Sequence, residues 1–408
     1  MQNEEKVEFV NTILRQPQTI YSFDRATIPS NCLDSTDYYP ELTQIGIDLL
    51  HEGKIAVVMM AGGLSTRMNC EGLRGDLPIG PVTKRSIFQL QAEKIAAIKK
   101  RFSPQMPWII ITSSPVHDAT ISSFESRKFF GIPSNEILFL KLQKTLPIVN
   151  IDGEPIYLQD GSLMESPIGH GGLVNIISST NLLQNLKQQG IEYLFYFQYP
   201  NVLEKICDFT MLGYHQKNGF EVTTKTISEY QPKEKVGRCI QIGERNYILE
   251  YHFLKNIESN SWLHNLPAST GTHIWSISFL ERCLKQKIQL PYYLVRHHST
   301  NSDVPLFKAE CFIFDLIPYS IKSGIFQVDR NKEYAVVKRR HGDDSLKSAQ
   351  NVLNKVYKSW LKEAGAIPKV QDNMDYRVEV SPLFALSSDD LNGKIRAGFR
   401  YEDNLVLR

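Results

Sequence analysis

The sequence lacks any C-x-x-C pair. Its six cysteines (Cys32, Cys70, Cys207, Cys239, Cys283, Cys311) are scattered over 408 residues. That spacing argues against a disulfide framework or a zinc knuckle and fits a reducing compartment. An excess of one charge is also missing: 46 Lys and Arg face 44 Asp and Glu, a formal net of +2, so bulk nucleic-acid binding is not expected. No window approaches the roughly 18 uninterrupted apolar residues of a membrane span. The first stretch, MQNEEKVEFVNTILRQPQ, is charged and has no apolar core of the secretory type, so a cytoplasmic location is expected. Internal repeats and low-complexity tracts are absent as well.

What the chain does contain is a succession of apolar runs and amphipathic stretches. Hydrophobic residues are 42% and charged residues 22%, the balance of a globular protein with a large core. Residues 4–15 read as a short helix. ELTQIGIDLLHEG reads as another, stopped by Gly53. KIAVVMM is a continuous apolar, β-branched run, the pattern of a strand covered on both faces. SIFQLQAEKIAAIKKRF places Ile87, Leu90, Ile95 and Ile98 near helical spacing, with lysines late in the helix where its dipole favours them. WIIIT (108–112) and EYLFYFQ (192–198) are further strands, and 172–190 reads as one helix ending at Gly190. This order predicts an α/β fold with a mostly parallel sheet and helices on both faces. The stretch 216–260 reads as a β-rich insertion of short polar strands facing the ligand. The organisation expected is an N-terminal helical segment (1–50), a main domain (51–345) and a small C-terminal domain (346–408) that opens with a helix at 346–363.

The stretch VVMMAGGLSTRMN, residues 57–69, ends a buried strand in Gly62-Gly63 and then presents a hydroxyl pair and Arg67. In an open parallel sheet, ligands bind beyond the carboxyl ends of the strands. Glycines there permit a sharp turn and a close backbone approach. Backbone N–H groups of such a loop cradle phosphate, and an arginine pairs with it bidentately. The competing reading is a plain strand-to-helix turn with a surface arginine. The loop is neither a Rossmann G-x-G-x-x-G nor a Walker A sequence, which weakens dehydrogenase and P-loop readings.

The loop resembles the G-G-x-G-T-R-[LM]-G motif of nucleotide-sugar pyrophosphorylases. With IAVVMMAGGLSTRM stand RSIFQLQAEKI, PWIIITSS, FFGI, LQKTLPIVNIDG, SPIGHGGL, GRCIQIGERNYILEY, FIFD and KEYAVVKRRHGDDS, in order and at similar spacing. Together they make residues 26–345 similar to the eukaryotic-type UDP-N-acetylhexosamine pyrophosphorylase family. The resemblance implies a Rossmann-like nucleotidyltransferase domain with small flanking domains, and a uridylyltransferase that turns UTP and a sugar 1-phosphate, N-acetylglucosamine 1-phosphate by family usage, into UDP-sugar and pyrophosphate. The sugar phosphate attacks the α-phosphorus in line, so catalysis is positioning and charge neutralisation. By the same resemblance, Met60, Ala61, Gly62 and Gly63 wrap the nucleotide, and Gln143 meets the uracil edge, whose imide suits an amide's donor and acceptor. Gly169 and His170 form a second nucleotide loop; the alternative is a helix-start loop whose His caps the backbone. Gly237, Glu250 and Tyr251 would hold the sugar. Arg67, Arg74 and Lys338 would carry the catalytic positive charge. Lys322, one residue out of step, matches a further phosphate-binding lysine. Neither nucleic acid nor membrane is implied as a partner.

The departures from the family fall on the chemistry. Ser65 replaces the middle glycine of the first loop, Asn69 replaces its last glycine, and a Pro-Lys pair becomes Leu73-Arg74, with altered donor geometry. The family's N-A-G-N becomes Ser269-Thr270-Gly271-Thr272. The Asp that should hold Mg²⁺ is Pro200, which leaves triphosphate oxygens, water and Asn201 as the alternatives. The retained uridine landmarks also fit a protein that binds a uridine nucleotide or UDP-sugar with little turnover, or one that transfers to another acceptor.

Overall fold

The computed structural model describes residues 2–15, 26–63, 72–228, 234, 236–250, 265–297, 305–369 and 376–408. A mixed sheet forms its centre. The main path contains β1 (Cys32–Asp34), β2 (Ile55–Met60), β3 (Trp108–Ser113), β4 (Ile137–Leu142), β5 (Tyr193–Gln198), β6 (Val222–Ile227), β7 (Ala268–Ser276) and β8 (Ser323–Val328). Their order is β1-β8-β6-β7-β5-β2-β3-β4. Only β7 pairs antiparallel, with β5 on one side and β6 on the other. The other adjacent pairs are parallel. The sheet is therefore mostly parallel, as the alternation of strands and helices requires.

The apolar runs fill two layers at once. Along β2, Ile55, Val57 and Met59 enter the core on one face, and Ala56, Val58 and Met60 enter the core on the other. Trp108 and Ile110 of β3, with Phe195 and Phe197 of β5, join the first core; Ile109, Ile111, Leu194 and Tyr196 join the second. This is the period-two alternation of a strand sandwiched between helices. Each fully buried Val or Ile side chain contributes roughly 2 kcal/mol of transfer free energy.

Two expectations from the sequence are corrected. The run 172–190 is not one helix but two, Gly172–Ser179 and Leu182–Gln188. Thr180 between them is extended, at φ −129° and ψ 166°. Its hydroxyl donates to Ile176 O, 2.7 Å away, and its oxygen lies 3.3 Å from Leu182 N. A short polar side chain has thus competed with the helix for its own backbone. The second correction concerns Val222–Ile227, read as part of a β-rich insertion facing the ligand. It is β6, a central strand between β8 and β7 with every residue buried. The following hairpin, Arg238–Ile242 with Arg245–Leu249, lies off the main strand path and joins β7 through Arg238 opposite Ala268.

The N-terminal helix Asn3–Arg15 packs Val10 and Ile13 against Leu146, Val149 and Ile168. At the other end of the chain, the helix Leu346–Glu363 starts with a capping box between Ser345 and Ser348. Its Leu353, Val356 and Leu361 enter the first core together with Val378 and Val380.

Candidate active site

A cavity of about 280 Å³ opens at the carboxyl edge of the sheet. Its position follows from topology: Gln198 ends β5, Ser269–His273 is the start of the antiparallel β7, and Tyr334 and Lys338 follow β8. Val236, Gly237, Ile248 and Glu250 of the hairpin region close one side, and Glu310, Phe312 and Phe314 another. This is where open α/β sheets hold their ligands.

His170 lines the cavity, and its tautomer is fixed by the backbone. Its Nδ1 accepts from Ile313 N–H at 3.1 Å, so in the neutral ring the proton sits on Nε2. Burial pulls its pKa down to about 4, against the opposing charge of Glu310. Near neutral pH, His170 is therefore a neutral imidazole with an Nε2–H donor. It does cap the backbone, at the start of the 3₁₀ turn Ile313–Tyr319 rather than at its own helix. The flanking glycines are needed for packing: a Cβ on Gly169 would lie 2.8 Å from Cys311 O, and one on Gly171 would lie 2.7 Å from Cys311 C. Phe312 and Phe314 stack on each other with centroids 5.1 Å apart, and both rings lie within 5.4 Å of the imidazole.

Lys338 lines the same cavity. Burial acts to lower its pKa, but Tyr334 and the Asp344 carboxylate outweigh it and hold the amine above the usual lysine range. Its backbone N–H donates to Asp344 O at 2.7 Å. The preceding segment is pinned to the Pro200 turn: Val337 N–H donates to Pro200 O at 3.1 Å, and Val202 N–H to Ala335 O at 2.9 Å. Arg339 adds a second cation to the cavity, and Glu250, Glu310 and Asp344 add carboxylates. Glu310 is ion-paired with Lys308. Behind Phe312, Tyr293 OH donates to Asp315 Oδ1 at 3.3 Å. Burial pushes the Asp315 carboxyl up to about 8.

Of the residues singled out in the sequence, the cavity gathers His170, Gly237, Glu250 and Lys338, together with Ser269, Thr270 and Gly271. Met60 pairs in register with Gln198, whose side chain reaches the cavity. Ala61 N–H donates to Ile111 O at 2.7 Å, and Gly62 O accepts from Ser113 Oγ at 2.7 Å. The start of the glycine loop thus runs on along β3, with Gly63 in open space. Gln143 is exposed just beyond β4, outside the cavity lining. Arg74 begins the 3₁₀ turn Arg74–Asp76, also outside the lining. Arg67, Ser65, Asn69 and Tyr251 lie outside the described residues. Lys322 Nζ donates to Asn218 O at 2.8 Å and sits over the Phe220 ring, at the amino end of β8 and outside the cavity lining. Sequence reading missed Gln198, Glu310, Tyr334, Arg339 and Asp344. It quoted FIFD without assigning a role to Phe312 or Phe314.

The metal implied by the resemblance does not fit the residues present. Pro200 has no donor side chain, and its carbonyl is taken by Val337. Asn201 is not an alternative: its Oδ1 accepts from Ala335 N–H at 3.0 Å, and its Nδ2 donates to Glu204 Oε2 at 3.0 Å and Glu333 O at 2.9 Å. Asp208 accepts from Met211 N–H as a helix cap and lies 3.6 Å from Lys205 Nζ. Among the described residues, no three His, Cys, Asp or Glu side chains converge as a metal site.

A mostly parallel sheet with a polar, cation-bearing cavity beyond its strand ends defines an α/β protein of the nucleotide-binding class. Residues 10–367 match the family model of UTP–glucose-1-phosphate uridylyltransferases, and the chain belongs to that family. It is 30% identical to UDP-N-acetylglucosamine pyrophosphorylase of Saccharomyces cerevisiae, over 86% of this chain and 78% of that protein. It is 28% identical to UDP-N-acetylglucosamine diphosphorylase 2 of Arabidopsis thaliana, over 90% and 79%. The fold matches a crystal structure from Entamoeba histolytica, described as a UDP-N-acetylglucosamine pyrophosphorylase, with a TM-score of 0.81 at 25% identity, over 94% and 99% of the two chains. No helix among the described residues is long and apolar enough to cross a membrane.

Proposed function

We propose that the protein is a uridylyltransferase that joins UTP and N-acetylglucosamine 1-phosphate into UDP-N-acetylglucosamine and releases pyrophosphate. Family membership supports the reaction class. The observation that carries the substrate is the cavity's composition: Lys338 and Arg339 share it with a neutral imidazole donor and two stacked phenyl rings. The cations suit a phosphate. The donor beside an apolar wall suits an acyl group, its carbonyl accepting from His170 and its methyl resting on Phe312 or Phe314. Gly237 and Glu250 stand where sugar hydroxyls would meet a backbone and a carboxylate. Met60, Ala61, Gly62, Gly63 and Gln143 are assigned to the nucleotide, and Arg67 and Arg74 to its phosphates.

In the reaction, an oxygen of the sugar phosphate forms a bond to the α-phosphorus while the bond to the bridging α–β oxygen breaks. The electron pair leaves with pyrophosphate, and no protein atom is covalently involved. Lys338 is the residue whose ammonium would offset the charge at the phosphates. Pro200 and Asn201 offer a divalent ion no carboxylate where the family's metal ligand is expected. That same feature favours a second reading, in which the protein binds the uridine ligand without turning it over.

The test is pyrophosphate release from UTP with N-acetylglucosamine 1-phosphate, alongside glucose 1-phosphate, with calorimetry of UTP and ATP in parallel. Faster release with the acetylated sugar is expected. UTP binding without release would select the second reading, and equal affinity for ATP would sink both. Lys338→Met should lower turnover by about tenfold or more, the loss of one charge-assisted contact of about 1.5–3 kcal/mol.

A further inference from the structure

Lys225 lies in the middle of β6, and its side chain is 0% exposed, as is that of Glu204. Its Nζ is 2.9 Å from Glu204 Oε1, 2.9 Å from Glu333 Oε2 and 3.9 Å from Asp208 Oδ2. Glu204 Oε2 accepts from Thr272 Oγ1 at 2.7 Å and from Asn201 Nδ2 at 3.0 Å. Thr270 Oγ1 donates to Lys225 O at 3.2 Å. From the other side, Lys94 Nζ donates to Val202 O and Glu204 O, and Gln91 Nε2 to Tyr199 O and Asn201 O. None of Lys225, Glu204 and Asn201 lines the cavity.

We infer that the Lys225–Glu204 pair, with Asn201, is a positioning device that holds Lys338 and the Ser269–Thr272 turn in register around the ligand. Segments that line the cavity end on this cluster. The Pro200 turn carries Asn201 and Glu204. The turn in β7 is tied down through Thr270 and Thr272. The segment leading to Lys338 is tied through Glu333 and Ala335. The Ser269–Thr272 turn needs such support, because β7 shifts register between Ser269 and His273, and Gly271 has φ +79°. A desolvated ion pair is a poor source of net stability, since well-packed apolar residues of the same size often serve as well or better. What it supplies instead is direction: each oxygen and each N–H accepts one geometry, whereas an apolar plug accepts many.

The catalytic side of this inference rests on the uridylyltransferase reading; the positional side does not. The test compares Lys225→Met with the double variant Lys225→Met/Glu204→Leu, which removes both charges. The double variant should regain most of the stability lost by the single one. In it, amide exchange read by mass spectrometry should rise about tenfold or more in peptides 333–339 and 268–273, and stay unchanged in 108–113. Where wild-type protein releases pyrophosphate, turnover should fall about a hundredfold, the cost of an ångström-scale misplacement, with a much smaller change in KM for UTP. Lys338→Ala should then weaken UTP binding in the wild-type background and have little effect in the double variant. Glu204→Gln keeps the shape, and it decides the matter if the double variant does not fold, through the same local rise in exchange. A folded variant with wild-type protection at 333–339 and 268–273 overturns the inference. Failure of the wild-type protein to bind UTP overturns only the nucleotide reading, because the exchange result still stands.

Discussion

Two strands of the same sheet, β2 and β6, are buried along their whole length, yet one reads IAVVMM and the other VTTKTI. In β2, a slip of two residues would still put apolar side chains in both cores. In β6, three of the four polar side chains have an address: Thr223 Oγ1 meets His215 Nδ1 at 2.8 Å, Thr224 Oγ1 meets His273 Nδ1 at 3.0 Å, and Lys225 meets Glu204 and Glu333. A slip there would strand all of them in low dielectric, at about 1–3 kcal/mol for each neutral group and more for the charge. The apolar half of the sheet supplies cohesion, and the polar half supplies register. Next to β6, the strand β7 lines the cavity with Ser269, Thr270, Gly271 and His273.

The largest effect that tests this contrast is Lys225→Met. It removes the ammonium that lies 2.9 Å from both Glu204 and Glu333, with Lys205 left beside Asp208, and should cost about 3–5 kcal/mol in urea unfolding. The matching change in β2, Met59→Leu, conserves volume and should cost less than about 1.5 kcal/mol. Equal losses would mean that the two strands are held by the same kind of interaction.

The second effect depends on pH. Burial holds His170 to about 4, and His215 and His273 to about 3. These values lie below the ordinary 6.5, so the folded form resists protonation that the unfolded chain accepts. Stability from these groups is present above pH 6.5 and is lost as pH falls from there toward 4. Asp315 acts in the opposite sense, because it is protonated in the fold up to about 8 and ionised in the unfolded chain above 3.8. Unfolding near pH 5 therefore takes up three protons from the histidines and gives back one. The net slope is about 3 kcal/mol of stability gained per pH unit. Urea unfolding at pH 7, 6 and 5 measures it, and a flat profile would show that the histidines are not buried neutral. His215 and His273 face the threonines of β6, so the polar half should yield to acid before the apolar half does.

The same contrast explains what could be read from the sequence. β2, β3 and β5 announce themselves as unbroken apolar runs, and the Leu346–Glu363 helix shows clear helical spacing. β6 does not, because a buried Thr-Thr-Lys-Thr is indistinguishable from a solvated strand until its partners are known, and those are far away in the chain. Lys225 and Glu204 are 21 residues apart, and Lys225 and Glu333 are 108 apart. The break at Thr180 was missed because Ile176, Leu182 and Leu183 keep an apolar face across it. His170, Gly237, Glu250 and Lys338 were legible through motifs. Gln198, Glu310 and Asp344 were not, because their presence in the cavity depends on where strands end. Lys322 is not gathered with them, because motif spacing fixes position along the chain, whereas β8 carries it to the amino end of the sheet.

The smallest effect is the sharpest test of the rule that a buried hydroxyl contributes only through its partner. Thr226 completes the polar run of β6 and is fully buried, but its Oγ1 has no hydrogen-bond partner among the described residues. Thr223 and Thr224, on the same strand, each face a histidine nitrogen. Replacing Thr224 by Val keeps the shape and leaves His273 Nδ1 unsatisfied, which should cost about 1–3 kcal/mol. Replacing Thr226 by Val removes a desolvated hydroxyl that gains nothing in the fold and adds a methyl to a dry site. It should therefore be neutral, or stabilise by up to about 1 kcal/mol. Both substitutions raise β-propensity slightly and by the same amount, so the difference between them isolates the partner. Urea midpoints with unchanged m-values measure that difference. If Thr226→Val destabilised as much as Thr224→Val, the polarity of β6 would matter as bulk chemistry, and the strand would not be a set of addressed contacts.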